Sequence, residues 1–473
     1  MIGIRGLAVA AGMVTSSALL AQSTGADPSA FRALFKELIE TNTTQSAGSC
    51  TAAADKIATH LKAAGYRDAN LKLFSVPEFP KDGGLVADLP GSDPKAKAIL
   101  LLAHLDVVEA KREDWTRDPF TLIEEDGKFF GRGTSDDKTQ AAIWADLMIR
   151  FKQEGFKPRA TIKMALTCGE EGGRFNGAKY LVEHHRDWID AAFALNEGGF
   201  ITTDEKGEPV SMSVEAGEKT YQDFRLEVTN PGGHSSRPVK DNAIYHLAHA
   251  LLQVQNYAFP ITFIDANRAY FSGMALALAN KGDSETAALM TAMTGTPPDL
   301  NAAEKVAAKD PSWNSTLRTT CVATLLEAGH APNALPQRAR ANVNCRIFPG
   351  MAKEKVRAQL AAIINDPAVS VTLEGDFGDT AVAPTLTPQV MGPLTKLVGE
   401  MWPGLPVLPI LQPYATDGRL LNAAGIPTYG IDGSLVDRSL NNMHGLNEYA
   451  GVGSLYRDRE FLYRLVKLYS DAG

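Results

Sequence analysis

Ala98-Ile-Leu-Leu-Leu-Ala103-His104-Leu-Asp106-Val-Val108 is the stretch on which the fold turns. Its apolar run is too short for an ordinary helix and lacks the alternation of a strand with one wet face. It therefore predicts a strand covered on both sides. Thr161-Ile-Lys-Met-Ala-Leu-Thr167 and Ala191-Ala-Phe-Ala-Leu195 have the same short, mostly apolar form. Helices are predicted between these runs, at Thr139 to Gln153 and Gly177 to His185, and upstream at Ala30 to Ile39 and Ala52 to Ala64, where apolar residues recur at three and four. Strand, helix, strand at these lengths predicts an α/β fold with a mostly parallel sheet. Such a sheet binds its ligand at the carboxyl ends of the strands.

Chemistry-bearing residues follow each predicted strand. His104-Leu-Asp106 follows the first, Gly169-Glu170-Glu171-Gly-Gly the second and Asn196-Glu197-Gly-Gly the third. Gly131-Arg-Gly-Thr-Ser-Asp136-Asp137-Lys138 opens the intervening helix, and Asn442-Met-His444-Gly-Leu-Asn-Glu448 adds a late histidine in a glycine-bearing loop. Any one of these residues alone is more often a cap or a solvated surface charge. Their shared placement after strands, among turn-forming glycines, points instead to one site. So many carboxylates on one rim repel each other unless cations neutralise them, and carboxylates with two imidazoles suit zinc.

The 473 residues carry 47 Lys plus Arg against 55 Asp plus Glu, a net charge of −8, which offers no basic footprint for nucleic acid or anionic lipid. A small solute is the expected substrate. Met1 to Arg5 followed by the apolar, small-residue stretch Gly6 to Ala21 reads as a signal peptide over residues 1–21, too short for a membrane span. An exported protein, periplasmic or secreted, with no stable span after signal removal is expected. Cys50, Cys168, Cys321 and Cys345 show no CxxC spacing; three full pairings or buried free thiols both remain open.

Taken in order, His-x-Asp-Val-Val, Gly-Arg-Gly-x-x-Asp-x-Lys, Glu-Glu-Gly-Gly, Asn-Glu-Gly-Gly, Gly-Gly-His-Ser-Ser and His-Gly-x-Asn-Glu resemble the metallopeptidase family containing acetylornithine deacetylase, succinyl-diaminopimelate desuccinylase, aminoacylase, carboxypeptidase G and carboxypeptidase S. The match runs from about residue 30 to the end, and the segment from Trp115 to Phe120 looks closest to the carboxypeptidase S and aminoacylase side. The resemblance implies a zinc-exopeptidase-like catalytic domain and two Zn2+ ions per subunit, with Co2+ or Mn2+ as possible substitutes. By motif, His104 and Glu197 would bind one ion, Glu171 and His444 the other, and Asp136 would bridge them. The Gly-Arg-Gly-x-x-Asp spacing selects Asp136 over Asp137, which is left a supporting or helix-start role. Glu170 would be the general base toward a water shared by the ions, and Asp106 would orient His104.

Between residues 217 and 376 the pattern changes to strand 219–229, helix 241–256, strands 319–329 and 338–348, helix 352–365 and strand 369–375. This predicts a two-layer α+β lid interrupting a catalytic domain made of residues 27–216 and 377–473, with a long insertion at 257–318. The resemblance adds a possible homodimer through the lid. It also implies that His234, in Pro231-Gly-Gly-His234-Ser-Ser, helps stabilise the oxyanion, that Arg346 grips a substrate carboxylate and Asn333 contacts substrate, and that Tyr414-Ala-Thr416-Asp417-Gly418-Arg419 is a substrate-pocket loop. Asp417 and Arg419 equally suit a structural pair. The function expected is zinc-dependent hydrolysis of a peptide or N-acyl amide bond beside a free carboxylate. The alternative is a dipeptidase or aminopeptidase that reads a free amine.

Overall fold

Ile99–His104 forms a strand whose every residue is buried, flanked in parallel by Ile162–Thr167 on one side and Phe193–Asn196 on the other. The structure is a computed structural model that describes residues 27–375, 380–437 and 439–471. Burial on both faces explains the unbroken apolar run. Ile99, Leu101 and Ala103 enter one core with helices Pro28–Ile39, Cys50–Ala63, Lys138–Gln153, Pro388–Met401 and Val452–Asp471. Leu100 and Leu102 enter a second core, with Ala178, Leu181, Leu421 and Ile426, on the opposite face.

The parallel arrangement continues through Thr428–Gly430 beside Phe193–Asn196. Strands Phe79–Leu89 and Leu71–Val76 close one side in antiparallel pairing. On the other side Pro209–Glu218 carries Val407–Gln412 in parallel, completing a mixed sheet of ten strands. The predicted α/β class and mostly parallel sheet are therefore found. Predicted element ends agree with the observed ones to within one or two residues.

After Glu218 the chain builds a separate antiparallel sheet in the order Thr320–Ala328, Arg338–Ile347, Thr220–Thr229, Ser370–Glu374. One face alternates Phe224, Leu226 and Val228 with Ala339, Ala341 and Val343 against helices Ala243–Asn256 and Lys353–Ile364. The other face carries Asn342 and Asn344, both of which donate to the Asp223 carboxylate. This period of two is what a sheet with one wet face requires.

The insertion at 257–318 folds into helices Asp265–Asn280, Ser284–Thr294, Leu300–Lys309 and Pro311–Leu317 around Phe271, Met290, Met293 and Val306. Asp265–Asn280 lies against the outer strand Val407–Gln412, so closely that a Cβ on Gly273 would stand 2.3 Å from Leu408 Cδ2. The insertion thus covers an edge of the large sheet that would otherwise be open to pairing.

All four cysteines are paired, Cys50 with Cys168 and Cys321 with Cys345, which excludes the free-thiol alternative. The predicted signal peptide, residues 1–21, lies outside the described residues. Among those described, no helix is long and apolar enough to cross a membrane.

Candidate metal centre and substrate cleft

His104 ends its strand with Nε2 2.9 Å from Asp136 Oδ1 and 3.6 Å from Glu197 Oε1. His444 Nε2 lies 3.0 Å from Asp136 Oδ2 and 3.0 Å from Glu171 Oε1. The two oxygens of Asp136 therefore face different imidazoles. Possible ligand atoms of His104, Asp136 and Glu171, and of His104, Glu170 and Glu197, lie within 4.8 Å of one another in each set. Nitrogen and oxygen ligands about 2.0 Å from a tetrahedral ion stand about 3.3 Å apart. The separations of 2.9 to 3.6 Å between these donors fit that spacing. Cys50, Asp106 and Cys168 also converge, but both sulfurs are committed to a disulfide and cannot bind a cation as thiolates.

The protonation preferences point the same way. Burial pushes Glu197 up to about 7, and burial together with the nearby Glu197 holds Glu170 well above the carboxylate range. Hydrogen bonds to Asp136 and Glu171 raise His444 to about 10. Burial disfavours charge on His104, yet Glu197 and Asp136 hold it well above its ordinary value. Burial likewise opposes ionisation of Asp136, but the two imidazoles keep it below the usual range. Carboxyls driven to take up protons beside imidazoles driven to keep them mark a centre short of positive charge. Cations bound there would supply that charge.

Other residues hold the donors in place. The backbone carbonyl of Asp106 is the group 3.0 Å from His104 Nδ1. The Asp106 carboxylate is 3.6 Å from that nitrogen and instead accepts from the Glu170 and Glu171 N–H groups, at 3.4 and 3.0 Å. Asp106 thus carries two tasks where the sequence suggested one. Asp137 makes no side-chain cap at the start of Lys138–Gln153 and accepts from His104 N at 3.3 Å. Lys138, fully buried and pushed down to about 7 by burial, donates to the Thr41 carbonyl at 2.7 Å.

Glu448, at the end of the His-Gly-x-Asn-Glu motif, is a support for the metal-site loop. Its Oε1 accepts from Gly133 N, Ser135 N and Asp136 N, at 3.1, 2.6 and 3.2 Å. Its Oε2 takes a 2.5 Å hydrogen bond from the buried Arg132. One carboxylate thereby fixes the loop that delivers Asp136. Glu218, without a sequence signal, accepts from Thr416 N and Oγ1 at 2.5 and 2.8 Å.

A cleft of about 670 Å³ opens over Asp136, Glu170, Glu171, Glu197 and His444, and Thr416 lines it. Asp417 is buried behind the cleft and accepts from Asn176 Nδ2 at 2.6 Å and Thr167 Oγ1 at 3.3 Å. His234 and Asn333 are not among the cleft residues. They lie near each other on the ribbon where Gly233–His234 pairs with Ala334–Leu335, both exposed, with the His234 ring engaged by Ser236. Arg346 is half-buried, donates to the Pro413 carbonyl at 3.1 Å and lies 4.7 Å from the Tyr221 ring centre. Among the described residues it forms no salt bridge. The structure thus gathers the five candidate ligands and Glu170, and leaves His234, Asn333 and Arg346 outside the residues that line the cleft.

The family model described as peptidase family M20/M25/M40 matches residues 100–468. The human N-fatty-acyl-amino acid synthase/hydrolase PM20D1 is 26% identical over 390 residues, covering 80% of this chain and 75% of that one. The probable carboxypeptidase S-like 2 of Dictyostelium discoideum is 28% identical over 400 residues, covering 81% of this chain and 74% of that one. Among solved structures, the M20 family metallo-carboxypeptidase Sso-CP2 from Sulfolobus solfataricus superposes with a TM-score of 0.67 at 17% identity, covering 93% of this chain and 99% of that one.

Proposed function

This chain belongs to peptidase family M20/M25/M40, and from that premise we propose that it is a zinc-dependent hydrolase cutting a peptide or N-acyl amide bond next to a free carboxylate. The observation that carries this reading is the convergence of His104, Asp136, Glu171, Glu197 and His444 around Glu170 on the floor of the cleft. His104 and Glu197 would hold one ion and Glu171 and His444 the other, with Asp136 placed between the two imidazoles. Bound there, such ions would supply Lewis acidity toward a carbonyl and a water of lowered pKa.

The protein supplies the remaining steps. Glu170 takes the proton of the attacking water and returns it to the leaving nitrogen. Asp106 and Asp137 keep His104 and the Glu170–Glu171 turn in register. Arg346, held beside Pro413 and Tyr221 near the cleft residue Tyr414, takes the substrate carboxylate by its guanidinium fork. Asn333 and Thr416 are substrate contacts, and Asp417 acts from behind the cleft. His234 donates to the oxyanion once the ribbon is brought over a cleft, its own or that of a second copy. Two disulfides support an exported enzyme working in an oxidising compartment. The apolar edge strand Thr320–Ala328 supports a homodimer through the four-stranded sheet.

The test is hydrolysis by metal-quantified protein, with and without chelator, of N-acyl amino acids, blocked dipeptides with a free C-terminus, free dipeptides and C-terminal amides. Chelator-sensitive cleavage that demands a free carboxylate and tolerates a blocked amine is expected. A demand for a free amine overturns the reading in favour of a dipeptidase or aminopeptidase and leaves Arg346 without its role.

A further inference from the structure

The Cys50–Cys168 disulfide lies behind the turn that carries Glu170 and Glu171. Cys168 follows the strand Ile162–Thr167 and stands two residues before Glu170, while Cys50 opens the helix Cys50–Ala63. The bond therefore ties that turn to a helix start. The Asp106 carboxylate, which accepts from the Glu170 and Glu171 N–H groups, meets the same pair of cysteines. Possible ligand atoms of Cys50, Asp106 and Cys168 lie within 4.8 Å of one another, and all three residues are buried.

The bonded sulfurs cannot take a cation, but cysteines are thiols until an oxidising compartment pairs them. In the dithiol form these three donors suit a soft divalent ion such as zinc. Thiolates about 2.3 Å from a tetrahedral ion stand about 3.8 Å apart, a spacing that side chains on Cα atoms 6.0 Å apart can reach. The place of Cys50 at a helix N-terminus favours its thiolate. A cavity of about 260 Å³ is lined by Cys50, Cys168 and Asp106 and gives an ion a way in. Asp82 lines the same cavity, and burial, then the charge of Asp106, hold its carboxyl above the usual range. Among the described residues, no such set of donors includes Cys321 or Cys345.

We propose that the dithiol form of this chain binds a further divalent cation through Cys50 Sγ, Cys168 Sγ and the Asp106 carboxylate, and that the protein in this form is held inactive until the disulfide is made. The ion draws Asp106 and Cys168 toward the helix start, and the Glu170–Glu171 turn loses its two-point hold. On oxidation the two thiolates give two electrons to the disulfide of an oxidant, which leaves as two thiols with two protons from solvent; the ion departs as the S–S bond forms.

The test uses the full-length protein, loaded with Zn2+ or Co2+, before and after reduction by a trialkylphosphine under argon. The phosphine cleaves the S–S bond to two thiols and becomes its oxide with the oxygen of water. Expected in the reduced protein are one further ion per chain by elemental analysis and, with Co2+, a thiolate-to-cobalt charge-transfer band in the near ultraviolet. Carboxylate and imidazole donors alone give no such band. With the ion bound, kcat on the best substrate of the panel above falls about tenfold to a hundredfold, and it recovers on reoxidation by a small-molecule disulfide. Cys321→Ser/Cys345→Ser keeps the band and the response, whereas Cys50→Ser/Cys168→Ser loses both. A band lost in the first variant and kept in the second overturns the assignment. Reduced parent protein with neither band nor further ion overturns the site, and a further ion with unchanged kcat overturns the inactivation. The effect on turnover rests on the hydrolase reading and the ion binding does not. If no substrate of the panel is cleaved, that reading falls and the cobalt band still decides the site.

Discussion

The Glu448 carboxylate is buried against Arg132 and accepts three backbone N–H groups of the loop that presents Asp136. Glu448→Ala strands a buried guanidinium and those donors together, so a loss of about 3–5 kcal/mol in urea unfolding is expected, with reduced metal content by elemental analysis. Glu448→Gln keeps the shape and should cost less. A second pair of variants separates base from ligand. Glu170→Gln is expected to retain metal and lose about 10²–10⁴ in kcat, whereas His444→Ala loses metal first. Equal metal loss in both contradicts the assignment. His104, Glu171 and Glu197 were legible in the sequence because each closely follows a strand, and Asp136 and His444 because each sits in a glycine-bearing motif; the structure gathers all five. The Arg132–Glu448 pair was not legible, because its members are 316 residues apart and nothing local ties one to the other. Asp106 was half legible: its place beside His104 follows from spacing, but the direction of its carboxylate toward the 170–171 turn is set by the sheet.

Strands and helices with a clear period were readable to within one or two residues, as at Ile99–His104 and Lys138–Gln153, because burial on one or both faces writes itself into composition. The four helices of the insertion were not read, since small Ala and Thr residues around a minor core leave a weak stripe. Cysteine pairing was also beyond the sequence. Cys50–Cys168 closes 118 residues and Cys321–Cys345 only 24, so the chain-entropy cost removed from the unfolded state differs. Cys50→Ala/Cys168→Ala is expected to lower Tm more than Cys321→Ala/Cys345→Ala, with losses of about 4–5 and about 3 kcal/mol on that model. Helix Ala243–Asn256 and the turn after Lys353–Ile364 are joined by His246 Nδ1 and Asp366 Oδ2 at 2.5 Å, with Asp241 3.2 Å from His246 Nε2. The bond to Asp366 raises the His246 pKa, and the bond from His246 lowers that of Asp366. The histidine's contribution is complete below its unfolded value of about 6.5 and is lost as pH rises through the raised folded value; the carboxylate's is complete above about 3.9 and is lost as pH falls through the lowered one. Denaturant midpoints at pH 5.5 and 8.5 should therefore fall further in the parent than in His246→Gln, and equal falls would deny the coupling.

At the scale of the whole molecule, the antiparallel sheet ends in an edge that soluble monomers ordinarily avoid. Thr320–Ala328 is the outer strand of four, and Val322, Leu325 and Leu326 on it are 60%, 69% and 63% exposed. Leu252 on the neighbouring helix extends the same apolar surface, and no lysine or proline interrupts the strand. A register irregularity between Ala323 and Leu325 and the charge of Glu327 interrupt the edge, but the exposed leucines beside them leave an apolar face on which a second copy of the same strand in antiparallel sense is self-complementary by symmetry. Light scattering on size-exclusion fractions at micromolar protein should therefore report a dimer. Leu326→Lys, placing a charge within the proposed seam, should yield a monomer of unchanged helical content by circular dichroism. A monomeric parent at the same concentration removes the dimer from the proposal. If the variant is monomeric, its kcat then decides which cleft His234 serves. The ribbon bearing His234 belongs to the segment that builds the dimerising sheet, yet His234 does not line the cleft of its own chain. Lost turnover with retained metal assigns the imidazole to a partner's cleft, whereas full turnover in the monomer requires the ribbon to close over its own.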